Sequence, residues 1–426
     1  MRKVLISSFI GALLIVLGGI WFLYGNLEVD VKVPPSADIL AAKETIKLSI
    51  ETNKATPFTK IKVFIQQDNK TLTLYEGDLQ NREIEEVIKT KEAGFKDGKA
   101  ELIAELIFPL RKEIILKKEI VIDTTPPSID IVEKPRRLII GEPGVVAVKT
   151  SPDVDKVYVQ LGKAKFYLLP FKGNIYKTTI TAPLFLLKEP QNYYVIAIDK
   201  AGNSAERFLP IQIRPKKFRQ KKIYLDKETL ERIVLKFFPT PDNLLEKFQE
   251  INTKFRQEAD KKLVEICNQS ENRLYAKGRF LQLPGSKPTA YYGDHRYYYY
   301  SGKLVGESIH KGIDLAKYRH APVVAANSGR VVFTGKITVY GNTIIIDHGY
   351  GVFTLYGHLN DFTVKVGEEV KRGQIIGHTD TTGLALGDHL HFGVLIWGYA
   401  ANPLFFFDER YLNYYFYKPL LKQISP

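Results

Sequence analysis

Between residues 27 and 213 the chain alternates apolar and polar side chains with period two, in short runs separated by turn residues, and this confines the region to β-structure. Ile61, Val63 and Ile65 alternate with Lys62, Phe64 and Gln66, and Asp68-Asn69-Lys70 turns the chain before Leu72 and Leu74. That pattern predicts a hairpin. The run Asp123-Thr124-Thr125-Pro126-Pro127 breaks the alternation, which resumes at Ile129 and Ile131, at Val157, Val159 and Leu161, and at Tyr194, Ile196 and Ile198. Two β-sandwich domains fit this spacing, one over 27–123 and one over 124–214.

The second stretch opens near D-T-x-P-P and closes on Ala197-Ile198-Asp199-Lys200-Ala201-Gly202-Asn203, and in this it resembles bacterial immunoglobulin-like modules. Such modules serve as spacers or bind a protein or glycan partner; the spacer role is the plainer expectation.

Ahead of them, residues 4–24 carry no charge, follow Arg2 and Lys3, and precede Asn26, Glu28 and Asp30. At 1.5 Å rise per residue such a run just spans a hydrocarbon core. The basic start favours a cytoplasmic amino terminus, with the rest of the chain on the far side of the inner or cytoplasmic membrane. A cleaved signal peptide shares the charged start and apolar middle. The length of the run and the absence of an A-x-A-like site favour an uncleaved single-pass anchor over residues 1–26, placing the bulk of the chain in the periplasm or on the cell-wall side.

The formal charge is +14, from 61 basic and 47 acidic side chains. It is dispersed along the chain, so no nucleic-acid face is expected, while an anionic polymer or membrane surface is permitted. With Cys267 as the single cysteine, no intramolecular disulfide and no cysteine-rich metal module can form. The six basic residues within 214–222 read as a solvated linker. Helical periodicity follows: Asp226 suits the cap of a helix ending near Phe238, and Thr240-Pro241 suits the start of another. Leu244, Phe248, Ile251, Phe255, Ala259, Leu263 and Ile266 form one apolar stripe on that second helix, expected to pack on a neighbouring domain. Residues 215–274 are therefore read as a basic linker and helical hairpin, with regulation by the hairpin left open.

All eight histidines lie at or beyond His295. They fall in a glycine-rich region of short β-branched runs, an expected antiparallel β domain over 275–410, with 411–426 as a tail. His389 and His391, two apart on a strand, project to one side, while Gly312 lets a bent segment turn His310 and Asp314 toward one point. Two histidines and a carboxylate form a common zinc shell that leaves one position open, and zinc held in this way supplies a nucleophile at neutral pH and polarises a carbonyl.

The motifs H-x-G-x-D (His310, Asp314), Y-G-H-L (His358) and H-L-H-F (His389, His391), in this order with V-x-A-A-x-x-G-x-V and Y-G-N-x-I-I-I-D-H-G between them, resemble the lysostaphin-type, or LytM-like, zinc metallopeptidases. The resemblance covers roughly residues 280–407 and implies hydrolysis of peptide bonds in peptidoglycan stems or cross-links. It implies zinc bound by His310, Asp314 and His391, with His389 as general base and His358 as oxyanion stabiliser, two roles that the residues leave interchangeable. Asp388, where the family often has proline, and the long approach from Thr382 depart from its pattern. His295, His320, His348 and His378 have no role in the family and are expected to be hydrogen-bonded or exposed.

The expectation is thus a mainly β multidomain protein: a transmembrane helix, two immunoglobulin-like sandwiches, a helical hairpin and a C-terminal antiparallel β metallopeptidase domain. Its expected function is that of a membrane-anchored extracytoplasmic zinc endopeptidase acting on peptidoglycan. The alternative is a non-catalytic wall-binding or amidase-activating relative.

Overall fold

A computed structural model describes residues 25–54, 56 and 58–423. The apolar stretch read as a membrane anchor lies outside the described residues, apart from its last two positions. Among the described residues no helix is long and apolar enough to cross a membrane. The structure is mainly β and divides into two compact units: residues up to Pro127 with 153–155 and 198–205, and the remainder.

In the first unit a three-stranded and a five-stranded sheet enclose one core. The hairpin expected at Asp68-Asn69-Lys70 joins Lys60–Gln67 to Lys70–Asp78, and Ile61, Val63 and Ile65 point into that core. Asp68 takes the positive φ of 50° that the tight turn requires.

The second unit holds two further four-stranded sheets between residues 129 and 209, then the helices, then the C-terminal sheet. Asp226 caps the helix Lys227–Val234 as expected, its carboxylate accepting from the Thr229 N–H at 2.7 Å. That helix stops four residues short of Phe238. The next begins at Leu244, with Asn243 rather than Thr240 as its cap. The Asn243 amide oxygen accepts from the N–H groups of both Leu245 and Glu246, a bond set Thr240 is too distant to make. One π turn, Ile251–Phe255, interrupts this helix before Arg256–Ile266. The apolar stripe from Phe248 to Leu263 packs on Val339, Tyr340, Phe353, Leu355 and Leu395, so the helices cover one side of the C-terminal sheet. The basic run is only partly linker, because Gln220–Leu225 forms a strand parallel to His295–Tyr300.

The C-terminal sheet has eight strands, all antiparallel; its centre runs Ile313–Ala316, Leu390–Ile396, Val352–Gly357 and Gly341–Asp347. Leu390–Ile396 is buried along its whole length, and Gly341–Asp347 at every residue but Asn342, so neither strand alternates buried and exposed faces. The sheets of residues 129–209 are not a free spacer. The Trp397 indole N–H donates to the Thr178 hydroxyl at 2.8 Å, and the Asn402 N–H to the Gly141 carbonyl at 2.8 Å. Lys177, fully buried, donates to the carbonyls of Leu420 and Lys422 at 2.7 Å each. Cys267 is buried, and burial pushes its thiol well above the usual range, which makes it inert.

Candidate metal centre

Strand register assembles the site. Asp314 pairs across the ladder with His391, and His391 pairs on its other side with Gly357, immediately before His358. His389 precedes His391 by two and faces the same way, with its Nε2 3.5 Å from Asp314 Oδ1. His310 arrives from the preceding turn. A Cβ on Gly312 would lie 2.4 Å from the Phe392 carbonyl and 2.7 Å from His391 Nε2, so only glycine lets this turn lie against the strand.

The five side chains read from the sequence therefore converge. Asp314 Oδ1 is 2.9 Å from His310 Nε2 and 2.9 Å from His391 Nδ1, and the two nitrogens are 3.1 Å apart. The His358 and His389 rings lie 4.8 Å apart, with His358 5.9 Å from the His391 ring. His358 occupies the left-handed region, φ 61°, unusual for a residue with a side chain. Its N–H donates to the Tyr340 carbonyl and its Nδ1–H to the Thr382 carbonyl, each at 2.7 Å.

Backbone carbonyls also fix the other tautomers. His310 Nδ1 donates to the Tyr291 carbonyl at 3.0 Å and His389 Nδ1 to the Gly387 carbonyl at 2.8 Å. In His310, His358 and His389 the proton is thereby held on Nδ1, and Nε2 offers a lone pair. His391 instead turns Nδ1 inward. Burial works against the Asp314 charge, but the imidazoles of His310, His389 and His391 turned toward it outweigh burial and hold this carboxyl well below the usual range. Burial pushes His391 down to about 4 and His358 well below its ordinary value, while the pull of Asp314 overcomes burial at His389 and raises it.

One carboxylate oxygen and two imidazole nitrogens within about 3 Å of one another are close to the edge length, about 3.3 Å, of a tetrahedron of donors around zinc. Three such electron-rich atoms turned toward one point, all on nearly buried side chains, are a donor set for a divalent cation. The residues fit zinc.

Several supporting groups carry no signal in the sequence, because topology alone brings them in. Arg296 donates to Asp314 Oδ2 at 2.9 Å and so holds the carboxylate from behind. Arg219, in the basic run, makes a two-pronged ion pair with buried Asp294, whose carbonyl accepts from the His310 N–H at 3.0 Å. The Tyr340 ring lies 5.1 Å from the His391 ring, tilted 50° to it. Lys236 donates to the carbonyls of Thr381 and Ala385 at 2.6 Å each, fixing the long loop that carries Thr382. Asp388 has a structural reason to replace proline: its two oxygens accept from the Thr379 hydroxyl at 2.6 Å and the His320 N–H at 3.0 Å, tying down the approach to His389. Of the consecutive tyrosines 297–300, Tyr298 is buried and faces the cavity beside the site. Of the remaining histidines, His348 is buried and bonded to the Ser328 carbonyl and the Thr354 hydroxyl, His378 to Asp361, His320 to the Thr379 carbonyl and His295 to Glu307.

The profile of Peptidase family M23 matches residues 308–403, which hold all five residues. Over 96 residues the chain is 41% identical to the DD-carboxypeptidase/endopeptidase Mpg of Neisseria meningitidis serogroup B, covering 22% of each chain. Over 105 residues it is 37% identical to the murein hydrolase activator NlpD of Salmonella typhimurium, covering 24% of this chain and 28% of that one. Among solved structures, the catalytic domain of lysostaphin from Staphylococcus simulans is 30% identical, with 30% of this chain and 96% of that one covered and a TM-score of 0.25. The chain thus spans only 22–28% of the length of these curated relatives. At its C-terminus this chain carries a peptidase family M23 domain.

Proposed function

We propose that the protein is a zinc endopeptidase that cleaves peptide bonds in peptidoglycan stems or cross-links. The observation that carries this reading is the convergence of His310, Asp314 and His391 on one point with His358 and His389 beside them. His310, Asp314 and His391 would hold zinc, which would supply Lewis acidity and a nucleophile at neutral pH. The chain's own part is proton traffic and orientation. His389, with Nε2 bare and Nδ1 tied to Gly387, accepts the proton released as water attacks the amide carbon, and returns it to the departing amine. His358, whose ring lies 4.8 Å from that of His389, is the group that stabilises the oxyanion as it forms. The residues leave these two roles interchangeable between His389 and His358. Arg296 keeps Asp314 in place throughout.

The uncharged stretch at residues 4–24 supports anchoring in the inner or cytoplasmic membrane, with the catalytic domain facing the wall, and the β-sandwich regions remain candidates for a protein partner. The test is full-length protein in detergent: zinc by elemental analysis, and release of soluble fragments from purified wall. Stoichiometric zinc, and loss of release on His391→Ala or His389→Ala, are expected. Absence of metal together with undiminished release in both variants sinks the proposal. The activator name of one relative motivates a second reading, a non-catalytic wall-binding or amidase-activating protein. Retention of all five histidine and aspartate positions weighs against it, and stimulation of a separate amidase without release by the protein alone would establish it.

A further inference from the structure

The cavity that contains the metal centre, about 1240 Å³, is also lined by the helix Arg256–Ile266 and the strands Gln220–Leu225 and His295–Tyr300. Its acids are mostly taken. Asp260 pairs with Lys311, Glu307 with Lys188 and Asp314 with Arg296. Arg256 and Lys261 line the same cavity, and among the described residues neither has a carboxylate partner. Arg256 is held ready by a buried amide: its Nε donates to Asn252 Oδ1 at 3.0 Å, and Asn252 Nδ2 donates to the Glu307 carbonyl at 3.0 Å. Asn252 is 5% exposed. A Cβ on Gly306 would lie 2.9 Å from Asn252 Nδ2, so a bare backbone at this position makes room for the amide. Asn252 also lies in the π turn Ile251–Phe255, the irregular kind of turn that helices keep at functional sites, and Arg256 follows directly. With Nε occupied, both terminal nitrogens of the guanidinium stay available as a fork for one carboxylate. The phenol of buried Tyr298 feels this charge: burial raises it, but Arg256 and Arg296 together bring it below its ordinary value.

We infer that Arg256, oriented by Asn252, is a specificity-determining residue that binds a free carboxylate of the peptide substrate, so that the cavity accepts carboxylate-bearing stems in preference to neutral glycine bridges. This rests on the reading that the cavity receives a wall peptide. A stem peptide bears free carboxylates along its length, whereas a glycine bridge has none to offer a fixed guanidinium.

The test is binding to the full-length protein in detergent, followed by fluorescence anisotropy. Three labelled probes serve: a cross-linked stem peptide with free carboxylates, the same peptide with its carboxylates amidated, and a capped pentaglycine. The free acid is expected to bind roughly tenfold to a hundredfold more tightly than the amide or pentaglycine. Arg256→Gln should bring the acid down to the level of the amide, and Arg256→Lys should restore part of the difference, having the charge without the fork. Unaltered zinc content and melting temperature mark the variants as folded, and the acid-against-amide comparison on the unaltered protein needs no variant. Equal affinity for acid and amide, a preference that survives Arg256→Gln, or tighter binding of pentaglycine overturns the inference, as does displacement of the acid by inorganic phosphate at equal concentration. Hydrolysis is scored separately. Acid-selective binding without wall cleavage leaves the subsite standing and removes the endopeptidase; cleavage without acid selectivity does the reverse.

Discussion

The strand Glu44–Thr52 of the first unit and the strand Ile175–Thr181 of the second both mix polar and apolar side chains, with period two only in the first, and their polar residues meet opposite fates. In the first, Ile46, Leu48 and Ile50 are buried while the intervening residues stay in solvent, where Lys47 pairs with Glu85, two side chains 70% and 60% exposed. In the second, Lys177, Thr178, Thr179 and Thr181 are fully buried as well. Trp397 covers Thr178, and the carbonyls of the C-terminal helical turn cage the Lys177 ammonium. Alternation therefore identifies a strand and its inner face, but does not say whether the outer face meets water or protein. A short polar side chain suits either, given a partner.

The largest test of this contrast removes Trp397, a buried indole set edge-on to Tyr167 at 5.3 Å. Trp397→Ala should destabilise the second unit by about 3–5 kcal/mol, seen in calorimetry as a lowered transition with the first unit's transition unmoved. A single transition that shifts as a whole would merge the two regions.

Acid provides the next test, since the first unit contains no histidine. Burial pushes His348 down to about 4. The unfolded chain takes up this proton near 6.5, so acid draws the second unit toward unfolding. The contribution is fully present above about pH 6.5 and is lost as pH falls toward 4, amounting to about 3 kcal/mol. Burial raises neighbouring Asp347 to about 6, which gives the opposite slope: its contribution is present below about pH 4 and lost as pH rises through 6. The two oppose each other in one window, so the difference between the unaltered protein and His348→Gln isolates the histidine. A difference in stability that does not change between pH 7 and 4 contradicts this.

Lys177→Met should destabilise the second unit by about 1–3 kcal/mol by leaving buried carbonyls without their donor, whereas Lys47→Met should leave the first unit's Tm within error. Equal effects of the two lysine substitutions would erase the distinction.

The same physics decides what the sequence alone makes legible. His310, Asp314, His358, His389 and His391 are readable because strand period and a required glycine act over a few residues. Arg219, Arg296, Tyr340 and Lys236 are not, because a parallel pairing between segments about seventy residues apart, or a helix laid on a loop, brings them to the site. The helix limits slipped for a local reason: Asn243 captures two N–H groups, and Thr240-Pro241 is left in the turn. The docking of the second sandwich region was hidden because its contact face is built from threonine and lysine.

His391 differs from its neighbours in offering Nδ1 to the centre where His310 offers Nε2. The two nitrogens stand at different reaches from the backbone. A carboxamide on one methylene places its oxygen near an Nδ1 position, and one on two methylenes near an Nε2 position. Asparagine at 391 and glutamine at 310 are thus the neutral mimics that keep each donor atom in place, and exchanging them would set each donor about a bond length astray.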